Sequence, residues 1–353
     1  MGLSFVMAGG GSGGHVIPAL AVARELRSRG HAVHFIGTRR GMEAKLVPPE
    51  NFPIDWIEIG GLKRVGFRKT VSTLAALPGS IWQAARLLQR DRPTAVFSMG
   101  GYVAGPVLLA ALGKRIPVVV MEPNAVPGFT HRKLARFVAR ALVSFPETSR
   151  WFPPGRAEVA GLPVRDEFFE IPVRCPGEAL TVLITGGSQG SRTLNQAAEQ
   201  SWPLWSRNSV RLIHQTGAAA YPELSPRFQT SGLAGEMSAF LSDMPRAFAE
   251  ADIVVSRAGM GAVSELAAAG KPSILVPLPT AADQHQLRNA QAMERIGAAR
   301  MILDAEFNGQ RLVEEVVRLS RSPDQLKAMG EAARSFAKPG AARRAADVLE
   351  SLR

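Results

Sequence analysis

The chain has 353 residues, 42 basic and 30 acidic side chains, a formal net charge of +12 and a pI near 10.7. A hydrophobic content of 46% excludes a disordered chain, and the length predicts two domains. The single cysteine, Cys175, excludes a disulfide framework and a cysteine-based metal site. The basic excess points to an anionic partner, which is a nucleic acid, a membrane surface or a phosphorylated substrate.

The basic charge is confined to the first half of the chain. Residues 1–162 carry 21 basic and 9 acidic side chains, whereas residues 163–353 carry 21 of each. No run of apolar residues is long enough to predict a membrane span, and no basic segment precedes an apolar core as in a secretory signal. We therefore expect a cytoplasmic protein whose first half attracts anions.

Short apolar runs alternate with helical patterns in both halves of the sequence. The first half has predicted strands at 3–8, 34–37, 95–98 and 118–121, and helices at 18–28 and 103–112. The second half has predicted strands at 180–185, 210–214, 253–256 and 273–276, and helices at 193–199, 262–269 and 284–296. This alternation is typical of parallel sheets with helices on both faces. It predicts an α/β fold of two Rossmann-like domains that face each other across a cleft.

The domain boundary is predicted in the Pro- and Gly-rich segment 160–177. This places an N-terminal domain at 1–162 and a C-terminal domain at 163–339. The tail 309–353 reads as helical, with no strand left to pair. Its last helix, about 340–353, is a candidate for packing back on the N-terminal domain.

Three glycine-rich turns follow predicted strands, at Gly9–His15, Ser98–Tyr102 and Thr185–Ser191. Glycine lets a backbone approach a ligand closely, and the N–H groups of a following helix attract anions. Ligands of open parallel sheets bind where strands end. Plain tight turns are the alternative, but three turns at matching places favour a phosphate-binding cleft.

The first turn also matches the dinucleotide-binding fingerprint through Gly9, Gly11 and Gly14. That fingerprint expects an acidic residue about 20 residues further on, whereas the second strand is followed by Arg39 and Arg40. Since an arginine can hold the 2′-phosphate of NADP, an NADP oxidoreductase remains open.

Polar side chains near strand ends are candidates for chemistry. His15 can act as a general base or simply cap its helix. Glu122, with Asn124 beside it, is the rival candidate for the base. Glu265 can accept two hydrogen bonds from a vicinal diol such as ribose, and a surface glutamate is the alternative.

The segment Asp283–Asn289 adds an imidazole and amides. Spacings of three and four residues place Gln286 and Asn289, or His285 and Asn289, on one helix face. Amide side chains can form hydrogen bonds with sugar hydroxyls without adding charge. No Asp-x-Asp sequence and no His/Cys cluster with metal spacing occurs, so no metal is indicated.

These motifs, in this order, resemble the MurG family, the bacterial transferases that add N-acetylglucosamine to lipid I in peptidoglycan synthesis. The resembling segments are Gly9–Ala21, Met99–Pro106, Gly186–Ser191, Ser264–Glu265 and Asp283–Ala290, and the match covers nearly the whole chain. The resemblance implies a GT-B fold, UDP-N-acetylglucosamine as donor, lipid I as acceptor, metal-independent chemistry and no cofactor.

The resemblance also implies roles for individual residues. Donor-binding positions are Arg165, Ser188, Gln189, Leu241, Glu265, His285, Gln286 and Asn289. Acceptor-binding positions are Gly11, Ser12, Gly13, Gly14, Gly100, Gly101, Tyr102 and Asn124. Glu265 would bind ribose, backbone groups of Leu241 would face uracil, and the catalytic base would be His15 or Glu122.

Two positions depart from the family pattern. Leu162 stands where the family commonly has Asn, in Gly-Asn-Pro-Val-Arg, so any role of that amide is lost. His285 stands where some members have Gln, and an imidazole can still bond to a hydroxyl.

The segment 60–92 is predicted to meet an anionic membrane, because the polyprenyl tail of lipid I stays in the bilayer. Its basic and apolar candidates are Lys63, Arg64, Arg68, Lys69, Leu74, Leu77, Ile81 and Trp82. Pro78-Gly79 predicts an interruption into two helical pieces, and packing on the first sheet is the alternative for this segment. We expect peripheral association with the cytoplasmic face of the bacterial inner membrane, with cell-wall synthesis proteins as candidate partners.

Three other function classes stay open. A UDP-sugar epimerase or a transferase with a soluble acceptor would share the donor half, and an NADP oxidoreductase would use the first turn. Nucleic-acid binding is disfavoured, because Tyr occurs only 2 times and no zinc-finger or RNA-binding signature is present.

Overall fold

A computed structural model describes residues 2–59, 67–172, 180–205 and 210–352, without the side chains of residues 67–75. The chain divides into two compact units. The first unit comprises Met1–Pro163 with Gly340–Arg353, and the second comprises Val164–Pro339.

The first unit is built on strands joined by helices. Its strands are β1 (Ser4–Gly9), β2 (Ala32–Gly37), β3 (Ile54–Trp56), β4 (Ala95–Gly100), β5 (Val118–Glu122), β6 (Arg140–Val143) and β7 (Ala157–Val159). Its helices before the linker are α1 (Gly13–Ser28), α2 (Glu43–Leu46), α3 (Phe67–Asp91), α4 (Ala104–Gly113) and α5 (Phe129–Leu134).

The second unit repeats this plan. Its strands are β8 (Leu180–Thr185), β9 (Val210–Gln215), β10 (Ala234–Ser238), β11 (Ile253–Ser256), β12 (Ser273–Leu275) and β13 (Ala299–Met301). Its helices are α6 (Arg192–Ser201), α7 (Tyr221–Thr230), α8 (Met244–Glu250), α9 (Met260–Ala269), α10 (His285–Arg295), α11 (Gly309–Ser320) and α12 (Pro323–Phe336). The last helix, α13 (Ala341–Glu350), belongs to the first unit. Short 3₁₀ turns lie at Pro48–Glu50, Ala135–Phe137, Pro146–Trp151, Asp166–Phe168, Trp202–Leu204, Ala282–Gln284 and Asp304–Glu306.

Both sheets are parallel and share one strand order, which confirms the predicted α/β class. The first runs β3-β2-β1-β4-β5-β6-β7 and the second runs β10-β9-β8-β11-β12-β13. In each sheet, successive strands are added first on one side of the starting strand and then on the other. The order therefore reverses between β1 and β4 in the first sheet and between β8 and β11 in the second. The carboxyl edge at such a reversal is where open parallel sheets bind ligands.

The strands that the sequence pattern does not predict lie mostly toward the sheet edges. β3 and β13 have only 3 residues each, and β10 is largely exposed. Such strands have too few buried positions to give a recognisable apolar pattern in the sequence. They form because they pair with a neighbouring strand. The central strands β1, β4, β5 and β8 are buried on both faces and match the apolar runs.

The prediction that Pro78-Gly79 divides the segment after residue 66 into two pieces is wrong. α3 is one helix of 25 residues with Pro78 inside it. Ser80 is buried and its hydroxyl can donate to the carbonyls of Ala76, at 2.9 Å, and Glu58, at 2.5 Å. Ala84 and Leu88, which follow Ser80 at helical spacing, are also buried, and α3 packs against α4. This packing outweighs the cost of the proline.

The last helix is tied to the first unit by charge as well as by packing. α13 packs on α1, where the Arg29 guanidinium donates to Asp347 at 2.6 Å and to Glu350 at 2.9 Å. The other carboxylate oxygen of Glu350 lies 2.6 Å from Nε2 of His31. The hydrogen bond from His31 and the charge of Arg29 hold the pKa of Glu350 below its usual range.

Candidate functional site

The first glycine turn encloses a carboxylate of the protein itself. Glu43 is fully buried, and one of its oxygens accepts from the backbone N–H of Gly11 at 2.8 Å. Its other oxygen accepts from the N–H of Thr38 at 2.9 Å and from the Thr38 hydroxyl at 2.8 Å. A Cβ on Gly10 would lie 2.5 Å from this carboxylate, so glycine here serves a close internal contact. Glu43 was not predicted from the sequence, because it stands beyond the position that the dinucleotide fingerprint specifies.

The first and second glycine turns pack directly on each other. A Cβ on Gly101 would overlap the carbonyl oxygen of Gly10, and Gly101 has a φ of +83°. The ring of Tyr102 covers Gly11, where a Cβ would lie 2.8 Å away. The Tyr102 hydroxyl is 3.0 Å from that of Thr38. The predicted acceptor positions of the two turns therefore form one continuous surface.

His15 lies in the first turn of α1, which starts earlier than predicted. The Ser12 carbonyl accepts from the N–H groups of His15 and Val16, at 3.1 and 3.2 Å, and this begins the helix at Gly13. The Ser12 hydroxyl is 3.1 Å from Nδ1 of His15, whose imidazole is half-buried. The geometry thus orients the imidazole at a positive helix end, beside the exposed Gly14.

Glu122, the rival candidate for the base, is only 2% exposed. One oxygen accepts from the backbone and side-chain N–H groups of Asn124, both at 3.0 Å. The other accepts from Gly128 N–H and lies 2.9 Å from Nδ1 of His131. Burial acts to raise the pKa of Glu122, but these partners outweigh it and hold the pKa below its usual range. Such a carboxylate is suited to positioning its neighbours and poorly suited to taking a proton.

The third glycine turn repeats the close backbone approach in the second unit. A Cβ on Gly190 would overlap the carbonyl oxygen of Thr216, and Gly190 has a φ of +72°. The Ser191 hydroxyl caps α6 by accepting from Leu194 N–H at 3.4 Å. Ser188 and Gln189 are exposed on the outside of this turn, as expected for positions that meet a ligand.

A buried glutamine that stands in no recognised sequence motif holds the predicted uracil position. Oε1 of Gln215 accepts from the backbone N–H of Leu241 at 2.8 Å. Its Nε2 donates to the Thr185 hydroxyl at 3.3 Å. The N–H of Leu241 is therefore engaged within the second unit.

Glu265 differs from the buried carboxylates of the first unit. Its side chain is half-buried, and within the described ranges no hydrogen bond to its carboxylate is present. Burial raises the pKa of Glu265 to about 7, opposed only in part by the charge of Arg165. The Arg165 guanidinium lies 5.1 Å from the ring centre of Phe168. A perturbed carboxyl group beside a cation at a sheet's carboxyl edge is typical of a ligand site.

The start of α10 brings together the remaining predicted donor residues. Gln286 accepts from Leu278 N–H at 3.0 Å, and half-buried His285 has Nδ1 2.6 Å from the Ala282 carbonyl. Asn289 is fully buried and donates to the Ala258 carbonyl at 3.2 Å.

Two consecutive residues before α10 have left-handed backbone conformations. Asp283 has a φ of +52° and Gln284 a φ of +53°. Non-glycine residues adopt this region at a cost, and such strain is concentrated at functional sites.

Three groups that could hold a cation come together where sequence spacing indicated none. A ligating atom of each of His34, Asp55 and Asp91 lies within 4.8 Å of the others. The Arg90 guanidinium pairs with both carboxylates, at 2.6 Å from Asp91 and in direct contact with Asp55. We interpret this cluster as an ion-pair network.

The predicted membrane residues are only partly described. Lys63 and Arg64 lie outside the described residues. Arg68, Lys69 and Leu74 lie within α3, but their side chains also lie outside that description. Leu77 is half-buried, as is Ile81, which packs against the core. Trp82 is 60% exposed, and the Arg86 guanidinium lies 4.8 Å from its ring centre. In the part of the chain that the structure covers, no helix has the length and apolarity needed to cross a bilayer.

Comparison with known families identifies both units. Residues 5–143 match the glycosyltransferase family 28 N-terminal domain, and residues 181–345 match the glycosyltransferase family 28 C-terminal domain. A relative from Solibacter usitatus (strain Ellin6076) is 62% identical over 99% of this chain and 96% of its own. Another from Azotobacter vinelandii (strain DJ / ATCC BAA-1303) is 41% identical over 99% and 98%. Both are named UDP-N-acetylglucosamine--N-acetylmuramyl-(pentapeptide) pyrophosphoryl-undecaprenol N-acetylglucosamine transferase.

Solved structures give the same result for the fold. MurG from Acinetobacter baumannii has a TM-score of 0.83 and 31% identity, with 99% of each chain covered. A UDP-GlcNAc 2-epimerase from Neisseria meningitidis has a TM-score of 0.68 and 14% identity, with 99% of this chain and 100% of its own covered. The second likeness concerns the fold alone.

Glu43→Gln is expected to destabilise the first unit. An amide offers one acceptor oxygen where the carboxylate accepts from three donors, so at least one buried N–H or O–H loses its partner. We expect the free energy of unfolding in urea to fall by about 1–3 kcal/mol. Glu58→Gln, the same change at an exposed position, should stay within about 0.5 kcal/mol of the wild type. Equal stability of the two variants would contradict the internal role of Glu43.

Proposed function

This chain belongs to the MurG family of N-acetylglucosaminyltransferases, and we propose from that membership how its residues carry out the transfer. The chain has the GT-B fold of that family. The reaction moves N-acetylglucosamine from UDP-N-acetylglucosamine to the C4 hydroxyl of N-acetylmuramic acid in lipid I, giving lipid II for peptidoglycan synthesis. The observation that carries this function is the full-length match to transferases that are named for this reaction.

The second unit is the proposed donor site. Glu265 accepts hydrogen bonds from the two ribose hydroxyls, which explains a carboxylate that is half-buried and lacks a described hydrogen-bond partner. Because the N–H of Leu241 is taken by Gln215, we assign its carbonyl to uracil. Arg165, near Glu265, faces the diphosphate.

The sugar and phosphate contacts come from the third turn and from α10. Ser188 and Gln189 are exposed and are assigned to the phosphate and sugar. His285 and Gln286 contact the sugar hydroxyls. Fully buried Asn289 holds the loop that contains Ala258, so it acts on the sugar site by positioning.

The first unit is the proposed acceptor site. Since Gly11 N–H is bound by Glu43, the diphosphate of lipid I meets the free end of α1 around Ser12, Gly13 and Gly14. Gly100, Gly101, Tyr102 and Asn124 complete the acceptor surface. The internal use of the Gly11 N–H also argues against the NADP oxidoreductase, which would need that group for its pyrophosphate.

His15 is the proposed general base. The acceptor C4 oxygen attacks C1 of the donor sugar from the face opposite UDP, forming the new O–C1 bond as the C1–O bond to UDP breaks. His15 takes the hydroxyl proton, and UDP leaves with the bonding electron pair, so the configuration at C1 inverts. Backbone N–H groups and Arg165 stabilise the charge that develops on the diphosphate.

Peripheral membrane association is proposed through α3 and the basic segment before it, on the cytoplasmic face of the inner membrane. Trp82 provides an exposed aromatic ring with a cation stacked on it, a combination that suits the headgroup region of an anionic bilayer. The opposite face of α3, with Ser80, Ala84 and Leu88, is buried in the first unit. The charge of the first half supplies the long-range attraction.

Labelled UDP-N-acetylglucosamine with and without lipid I tests the function. Label should enter lipid only when lipid I is present, whereas an epimerase would convert the nucleotide sugar alone. His15→Ala is expected to lower kcat by about 10²–10⁴-fold with little change in the KM for lipid I. Ser12→Ala, which removes only the hydroxyl near the imidazole, should lower kcat less than tenfold, about the effect of one hydrogen bond. Full turnover by His15→Ala would remove this residue from the base role.

The affinity for UDP-N-acetylglucosamine is expected to depend on the ionisation of Glu265. With a pKa of about 7, the carboxyl group is mostly protonated at pH 6 and mostly ionised at pH 8. Since the ribose hydroxyls donate to the ionised form, binding should be about tenfold weaker at pH 6 than at pH 8.

Isothermal titration of UDP-N-acetylglucosamine into the wild type, Glu265→Gln and His285→Gln at pH 6 and pH 8 checks this prediction. Glu265→Gln should bind more weakly than the wild type at pH 8 and lose the pH dependence, and His285→Gln should retain it. A Glu265→Gln variant with the pH dependence of the wild type would show that another group is responsible.

Trp82→Ala is expected to weaken binding to vesicles that contain anionic lipid. The loss of one interfacial aromatic ring should raise the vesicle dissociation constant several-fold, and added salt should weaken both proteins. Phe240→Ala removes an equally exposed ring, at 62% exposure, from the second unit and should leave vesicle binding unchanged. Equal losses in the two variants would exclude α3 as the contact surface.

A further inference from the structure

A buried chain of hydrogen bonds joins the second glycine turn to Glu122. The Ser98 hydroxyl accepts from the N–H of Gly100 at 3.1 Å and lies 3.3 Å from Nε2 of His131. Nδ1 of His131 lies 2.9 Å from the Glu122 carboxylate. Ser98 and His131 are both buried, at 0% and 1% exposure, so neither can contact a substrate.

The donors and acceptors of these groups match along the whole series of hydrogen bonds. Because a carboxylate only accepts, Nδ1 of His131 donates to Glu122. Nε2 pairs with the Ser98 hydroxyl, which itself accepts from Gly100 N–H. Serine hydrolases use this order of groups to activate the serine, but Ser98 has no exposed surface from which to attack. These hydrogen bonds therefore fix the orientation of the residues that they join.

His131 also supports the turn by packing. A Cβ on Gly100 would lie 3.3 Å from Cε1 of the imidazole, and Gly100 has a φ of +85°. The ring thus lies directly against the backbone that forms the turn. On its other side, the carboxylate that binds the ring also holds Asn124 and Gly128.

We propose that His131 is a positioning residue for the acceptor. It links two parts of the acceptor surface, the Gly100–Gly101 turn through Ser98 and the Asn124 loop through Glu122. The proposal rests on the proposed function, because it needs these parts to bind lipid I. Since the residues assigned to the donor lie in the other unit, the loss of His131 affects the KM for lipid I and leaves the KM for UDP-N-acetylglucosamine unchanged.

Three variants separate the two links. His131→Ala removes both, and the KM for lipid I should rise by about tenfold or more. His131→Asn retains an N–H donor near the Nδ1 position but does not reach Ser98. Ser98→Ala removes the same link from the other side, together with the hydrogen bond from Gly100 N–H. His131→Asn should raise the KM for lipid I by about threefold, and Ser98→Ala by at least as much. The double variant His131→Asn with Ser98→Ala should equal Ser98→Ala alone, because Ser98→Ala already lacks the interaction that His131→Asn removes.

The wild type is measured first, because its lipid I-dependent transfer tests the proposed function alone. Once the wild type shows that activity, two results with His131→Ala would overturn the positioning role. One is an equal rise in the KM for lipid I and the KM for UDP-N-acetylglucosamine. The other is a fall in kcat alone, in proportion to the folded fraction measured by circular dichroism. If His131→Ala does not fold, the other two variants decide. Additive rises in the double variant, or an unchanged KM for lipid I in both singles, overturn the proposal.

Discussion

The contact of backbone against backbone at the carboxyl ends of the strands is the constraint on which both units depend. Gly101 meets Gly10 in the first unit, and Gly190 meets Thr216 in the second, with no space for a Cβ in either place. In both units this contact joins turns that follow neighbouring strands into one surface, and in the first unit it lies where the strand order reverses, between β1 and β4. Because the turns meet through their backbones, there is no space for a side chain between them at Gly101 or Gly190.

Glu43 and Glu122 of the first unit differ from Glu265 of the second unit in how their carboxylates are satisfied. In the first unit, Glu43 and Glu122 accept from several N–H and O–H groups, and Glu122 keeps a low pKa despite its burial. In the second unit, Glu265 has a raised pKa, and the part of the chain that is described provides its carboxylate with no hydrogen bond. A satisfied carboxylate holds the protein's own backbone, whereas an unsatisfied one gains from a ligand that donates hydrogen bonds.

Many residues of the candidate site could be proposed from the sequence because they stand at fixed offsets from strand ends. Such offsets led to the proposed roles of the turns, His15, Glu265 and the segment before Asn289. Glu43, Gln215 and His131 were not predicted, because each follows no motif and acts on a residue that is distant in sequence. The division of α3 at Pro78 was wrongly predicted, because packing through Ala84 and Leu88 outweighs a local helix-breaking signal.

The sequence by itself determined the α/β class, the repeated unit, the family and the distribution of charge. These follow from local patterns, since apolar runs, glycine positions and side-chain charges can be read without knowing which segments meet. Only the tertiary structure decided which polar groups are already satisfied. Hydrogen bonds between strand ends depend on strand order and register. The engagement of Glu122 and of Leu241 N–H therefore became visible only in the folded chain, as did the lack of a hydrogen bond to Glu265 among the described residues.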